Sequence, residues 1–232
     1  MEGVDFDETF TPIAHMESIR VLLALACHLK FKLYQMEVKT TFLNKFLKED
    51  VYVAQPKGFI NPHFPDLVLY LKKALYELKQ APRAWYDQLT QYLVLHGFIR
   101  GQAYQNLFIK RENGKLIVAQ VYVDDIIFES TKDELAHDFS KLMQVEFEMS
   151  MIGELNYFLG LLIRQQESGI FISQSKYAEN LVRKFGLDSA SPVKTPMSPN
   201  VKLTVDLLGK SVDSSLYRSM IGSLLYLTAS RP

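Results

Sequence analysis

Val121-Tyr122-Val123-Asp124-Asp125-Ile126-Ile127-Phe128 sets two adjacent carboxylates between two runs of β-forming apolar residues. In one continuous strand Asp124 and Asp125 would point to opposite faces, because side chains alternate with period two. A tight turn at the pair removes that conflict, and aspartate tolerates turn conformations. Both carboxylates then project from a hairpin tip toward one place. Close carboxylates repel and raise each other's pKa unless a cation neutralises them. Hard divalent ions such as magnesium are held by one or two carboxylates together with substrate phosphates. An ordinary solvated turn uses the same residues, so Asp-Asp alone does not settle the chemistry.

Outward from this stretch the pattern is regular. Leu107 to Lys110, the Asn113-Gly114 turn and Lys115 to Val123 read as a hairpin, and Ile126 to Phe128 extends it to a meander. Thr131-Lys132-Asp133-Glu134 is a capping-box pattern, opening a helix with Leu135, Phe139, Leu142 and Met143 on its buried face. Upstream, Pro82 opens a helix at its first turn, with apolar residues at 85, 89, 92 and 93 and Gly97 at its end. Trp85 reads as the core anchor of that helix. Apolar residues at 19, 22, 23, 26 and 29 mark another helix, and Val21 and Leu25 predict burial on more than one of its faces. Phe31 to Val38 reads as a strand carrying Glu37 near its end. This order of strand, helix, hairpin, helix, strand predicts an α+β unit, with helices packed on one face of an antiparallel sheet.

The flanks are less regular. Residues 1–16 read as irregular, and residues 45–67, with Pro56, Pro62 and Pro65, as an excursion with a short Val51–Val53 strand. Val68 to Leu71 is another short strand, followed by the solvated pair Lys72-Lys73. Tyr157 to Arg164 and Ile170 to Ser173 flank Glu167-Ser168-Gly169 as a further hairpin. A helix over 175–185, a linker marked by Pro192, Pro196 and Pro199, and a helix over about 214–229 complete the chain.

The chain of 232 residues is 48% hydrophobic, enough for a real core in one or two domains. Lys plus Arg and Asp plus Glu both number 26, so a nucleic-acid partner would be met by a local positive groove and not by net charge. The single Cys27 sits in an apolar run and reads as a buried, inert thiol. It excludes an internal disulfide and fits a reducing compartment. No apolar run is long enough to span a bilayer and the start lacks a signal-peptide pattern, so no membrane partner is expected.

Tyr122-Val123-Asp124-Asp125 resembles the catalytic signature of reverse transcriptases, and the surrounding residues resemble the copia-type family of long-terminal-repeat retrotransposons. The resemblance runs over nearly the whole chain. It includes Asp7 to Pro12, Glu17-Ser18-Ile19-Arg20, Val38-Lys39-Thr40 and Phe42-Leu43-Asn44. It continues through Leu78 to Tyr86, Gly153-Glu154-Leu155, Tyr157-Phe158-Leu159-Gly160 and Gly222 to Thr228.

The resemblance implies an RNA-directed DNA polymerase domain of a Pol polyprotein. The expected fold is a polymerase palm with a ferredoxin-like antiparallel sheet, partial fingers and the start of a thumb. Residues 1–173 would form the palm, with a fingers-like excursion about 45–75. Residues 174–232 would begin the thumb or connection, with a linker over 190–200. Asp124, Asp125 and Glu37 fall at the catalytic, metal-binding positions, where a pair of magnesium ions would sit about 3.5–4 Å apart with nucleotide bound. Phe42 falls at the sugar gate, Tyr76, Glu77 and Gln80 beside the nucleotide, and Leu159 and Gly160 at the primer grip. The implied partners are an RNA or DNA template-primer and deoxynucleoside triphosphates, with other Pol regions or a second chain. The implied location is intracellular, in a cytoplasmic virus-like particle or the nucleus.

Several positions depart from the family pattern. Glu37 stands for an aspartate, and a shift of about 1 Å in a positioned group can cost roughly a hundredfold in rate. Glu77 stands for a glycine and would repel an incoming triphosphate. Lys45 and Glu129 also replace glycines, and Tyr104 an aspartate. The chain is expected to lack the basic fingers strands before it and the ribonuclease H region after it. An alternative reading is therefore a catalytically inactive relic, at most a nucleic-acid-binding or scaffold fragment. A plain RNA-binding ferredoxin-like module fits less well, because no aromatic base-stacking motif of that type is present.

Overall fold

A computed structural model describes residues 16–39, 41, 46–193, 195, 198, 200, 209 and 211–229. In chain order the elements are α1 (Met16–Leu29), β1 (Leu33–Val38), β2 (Phe46–Ala54), β3 (Val68–Lys73), α2 (Ala81–Leu95) and β4 (Ile99–Arg100). There follow β5 (Leu107–Glu112), β6 (Lys115–Tyr122), β7 (Asp125–Ser130), α3 (Asp133–Glu146), β8 (Met149–Glu154) and β9 (Tyr157–Phe158). The last are β10 (Leu161–Gln166), β11 (Gly169–Ser173), α4 (Ser175–Lys184) and α5 (Ser214–Ala229). They divide into two compact units, Met1–Leu155 with Gln165–Ile170, and Asn156–Arg164 with Phe171–Pro232.

The first unit is built on a six-stranded sheet ordered β4-β5-β6-β7-β1-β8, every neighbouring pair antiparallel. Within it β1, α2, β6, β7, α3 and β8 form the β-α-β-β-α-β arrangement, with β1 between β7 and β8. The closing strand β8 is hidden from a period-two reading. Its pairing shifts register between Met36↔Met151 and Gln35↔Gly153, which leaves Ile152 as an extra residue.

Alternation along the strands gives the sheet two distinct faces. On one, Met36, Val38, Ala119, Val121, Ile126 and Phe128 pack with Trp85, Leu89 and Leu93 of α2 and Ala136, Phe139 and Met143 of α3. Each such fully buried large side chain contributes about 1.5–3 kcal/mol. The Phe128 and Phe139 rings meet at 4.9 Å, tying sheet to helix. The other face carries Leu33, Gln35, Val118, Gln120, Ile127 and Glu129, all buried. Here α1 supplies cover, because Gln120 Nε2 donates to Ser18 Oγ at 2.5 Å. Helices on one face therefore describes α2 and α3, and α1 corrects it. The polar pair Ser18–Gln120 carries no apolar signal, so sequence patterning alone does not dock α1.

Other local expectations are corrected too. Val21 is 60% exposed, so α1 buries a single stripe of Ser18, Ile19, Leu22, Leu23 and Ala26. Cys27 lies off that stripe and is exposed. The capping box does not form at Thr131, whose hydroxyl instead accepts the Leu116 amide, prolonging the β6–β7 ladder. Lys132 takes the N-cap position of α3. The turn between β5 and β6 is as expected. Asn113 and Gly114 have φ of 51° and 73°, the left-handed pair of a type I′ hairpin.

The excursion forms its own two-stranded sheet of β2 and β3, with Tyr52 opposite Tyr70. Gln55 organises the intervening loop. Its amide donates to the Phe64 and Leu67 carbonyls, and its Oε1 accepts the Asn61 amide.

A three-stranded sheet has the order β11-β10-β9, and α4 and α5 follow it in the chain. Leu159 and Gly160, with φ of 45° and 78°, make the two-residue turn between β9 and β10. The Tyr226 hydroxyl donates to the Leu159 carbonyl, and the rings of Tyr177 and Tyr226 meet edge to face at 5.0 Å.

Candidate active site

The β6–β7 ladder ends with Tyr122 paired to Asp125, so Val123 and Asp124 are the two central residues of a tight turn. Val123 has φ of 52°, the left-handed region that a type II′ turn requires at its first central position and that glycine normally fills. Two bonds hold the turn from opposite sides. The Trp85 indole Nε1 donates to the Val123 carbonyl at 2.7 Å, and the Val38 amide donates to the Asp124 carbonyl at 2.8 Å.

The β1–β7 register places Glu37 directly opposite Asp125, on the face shared by Gln35 and Ile127. Glu37 is exposed, while Asp124 and Asp125 are half-buried. Gln35, two residues before Glu37 and hence on its face, donates from Nε2 to Asp125 Oδ1 at 2.8 Å. Burial raises the Asp125 carboxyl above its ordinary range. The Gln35 bond works against that shift, and the negative charges of Asp124 and Glu37 add to it. The structure therefore brings these carboxylates to one end of the sheet. Among the described residues, no group of three or more His, Cys, Asp or Glu is drawn close enough to form a ready-made cation cage.

The remaining sequence candidates lie as follows. Tyr76 and Glu77 are exposed in the segment before α2, and Gln80 is its N-cap, with its carbonyl accepting the Ala84 amide. Glu77 has φ of 73°, so a side chain occupies a position whose backbone suits glycine. Leu159 and Gly160 form the tyrosine-backed turn of the second unit. Phe42 and Lys45 lie outside the described residues.

Two contributors escape motif reading, Gln35 and the Trp85 N–H. Period-two spacing from Glu37 marks the first. For the second, an indole donor inside an apolar stripe has to find an acceptor.

Comparison with known proteins fixes the lineage. A family profile described as "Reverse transcriptase (RNA-dependent DNA polymerase)" matches residues 1–199. The chain belongs to the reverse transcriptase family. Among curated relatives, it is 38% identical over 230 residues to the "Retrovirus-related Pol polyprotein from transposon RE1" of Arabidopsis thaliana, covering 99% of this chain and 16% of that one. It is 32% identical over 241 residues to the corresponding polyprotein from transposon TNT 1-94 of Nicotiana tabacum, covering 100% and 18%. With the "Putative transposon Ty5-1 protein YCL074W" of Saccharomyces cerevisiae it shares 30% identity over 192 residues, covering 82% and 62%. No solved structure matches. This reverse transcriptase domain is thus of the copia-type Pol lineage, and it spans only about a sixth of the RE1 polyprotein.

Proposed function

We propose that this chain is the polymerising core of an RNA-directed DNA polymerase, extending a primer 3′-hydroxyl with deoxynucleoside triphosphates on an RNA or DNA template. The observation that carries the reading is Glu37 paired with Asp125 beside the Asp124 turn. These three side chains offer only carboxylate oxygens, the hard donor set that suits magnesium. When bound, magnesium would activate the primer hydroxyl and neutralise charge on the triphosphate and its leaving group. The protein's own contribution is positioning. Gln35 fixes one oxygen of Asp125. The turn presents Asp124 from a backbone tied to α2 and β1. In the same reading Tyr76, Glu77 and Gln80 border the nucleotide path, Phe42 gates the sugar, and Leu159 and Gly160 contact the primer strand.

A second reading, an inactive relic, is favoured by two carboxylates in unsuitable places. Glu77 occupies a left-handed backbone position. Glu129 is wholly buried with neither oxygen partnered among the described residues. Primer extension with and without magnesium separates the readings. It should compare the chain with a version carrying Glu37→Asp and Glu77→Gly. Robust extension by the unmodified chain supports the enzyme, and extension only after repair supports the relic. If the repaired version neither extends nor binds primer-template, the polymerase reading is wrong.

A further inference from the structure

We propose that Trp85 is a positioning residue whose indole N–H holds the Val123-Asp124 turn in the left-handed conformation that presents Asp124. The proposal rests on the polymerase reading of the carboxylate site. Trp85 is 2% exposed, on the stripe of α2 that packs against the sheet, and its ring meets Phe147 edge-on at 5.1 Å. Packing explains the ring. It does not explain the direction of the N–H, which meets the peptide carbonyl immediately before Asp124 at 2.7 Å.

That peptide needs holding. Val123 is β-branched, and β-branched residues are strongly disfavoured at positive φ, yet its φ is 52°. Such conformations persist only where the surroundings over-determine them. Here the Trp85 donor pulls on one carbonyl of the turn while the Val38 amide binds the next, so α2 and β1 clamp it together. Release of the Val123 carbonyl lets the turn relax toward negative φ and swings Asp124 away from the end of the sheet where Glu37 and Asp125 stand.

The test uses the whole 232-residue chain, with Mn2+ alone as the probe. Trp85 is the sole tryptophan. Expression in a tryptophan auxotroph fed β-(3-benzothienyl)alanine therefore replaces this residue alone with a ring of similar shape that lacks the N–H. Trp85→Phe is the encoded counterpart, and the isostere serves if the phenylalanine variant fails to fold. Loss of the N–H should weaken Mn2+ binding, read by electron paramagnetic resonance, about tenfold, as for outer partners of metal ligands. It should also speed hydrogen exchange at the Asp124 and Asp125 amides. Val123→Gly, which removes the strain, should restore both in the Trp85→Phe background. Unchanged binding and exchange in the N–H-free protein, or no rescue by Val123→Gly, overturns the proposal. A parent chain that binds no Mn2+ in the absence of nucleotide leaves the polymerase reading to the primer-extension test above. Exchange then decides: faster, rescuable exchange supports the clamp, and unchanged exchange overturns it.

Discussion

The side-chain amide of Gln35 donates to Oδ1 of Asp125 at 2.8 Å, across the β1–β7 pair and inside the buried face of the sheet. This hydrogen bond opposes the upward push of burial on that carboxyl. Gln35→Leu keeps the side chain's bulk and removes the donor. The Asp125 carboxyl should then titrate at higher pH than in the parent, read by carbon-13 resonance of the carboxylate. Mn2+ affinity should fall about tenfold. An Asp125 titration that stays where it was would show that the bond does not hold the charged form.

Glu129 makes stability depend on pH. Burial pushes its carboxyl from the ordinary 4.5 up to about 8. Between those values the folded protein keeps a proton that the unfolded chain has released. Stability is therefore full below about pH 4.5 and is lost as pH rises through 8, by about 1.4 kcal/mol for each pH unit of the window. Urea denaturation at pH 5 and pH 8 should show the parent weaker at the higher value and Glu129→Gln much flatter. Equal pH slopes in the two proteins would refute the assignment.

Glu77→Gly should stabilise the fold. The left-handed backbone at φ 73° penalises any side chain by about 1–2 kcal/mol, and glycine's greater freedom when unfolded returns about 0.4–1. The net gain should be roughly 0.5–1 kcal/mol in the denaturation midpoint. Destabilisation would mean that Glu77 makes a compensating interaction.

Gly160→Ala should do the opposite. The turn has φ of 78° there, and an added Cβ would meet the Tyr177 ring at 3.4 Å and the Tyr226 ring at 3.5 Å. Those are ordinary van der Waals distances, so the cost is that of the left-handed backbone less alanine's smaller freedom when unfolded, roughly 0.5–1 kcal/mol. Tyr226→Phe, which removes the hydroxyl donated to the Leu159 carbonyl, should cost about 1 kcal/mol. Thermal unfolding measures both, and an alanine variant as stable as the parent would contradict the left-handed backbone of that turn.

What the sequence made legible was whatever repeats. The β5–β6 hairpin was announced by Asn113-Gly114 and the stripe of α2 by its spacing, because both signals are local. The meeting of Glu37 and Asp125 is expected from the family resemblance, with Glu37 at a strand end and the aspartates at a hairpin tip. The register that sets it depends on pairing with a strand far along the chain. β8 was lost because the extra residue at Ile152 breaks its alternation. The cover provided by α1 was lost because a serine–glutamine contact leaves no apolar trace. Cys27 shows the reverse error, since an apolar neighbourhood in sequence predicts burial and the residue lies on the exposed side of a helix.

The position of β1 between β7 and β8 also sets a timetable for synthesis. Gln35 and Asp125 are 90 residues apart, and a ribosome adding about 5–20 residues per second needs roughly 5–18 s to cover that interval. Throughout it β1 has neither neighbour, and both of its rows of amides and carbonyls stay unpaired. Glu37 thus emerges early and waits. A nascent chain halted before residue 125 would carry an orphaned strand with a ready appetite for any other exposed edge, and both ladders close only once β7 and β8 have left the ribosome.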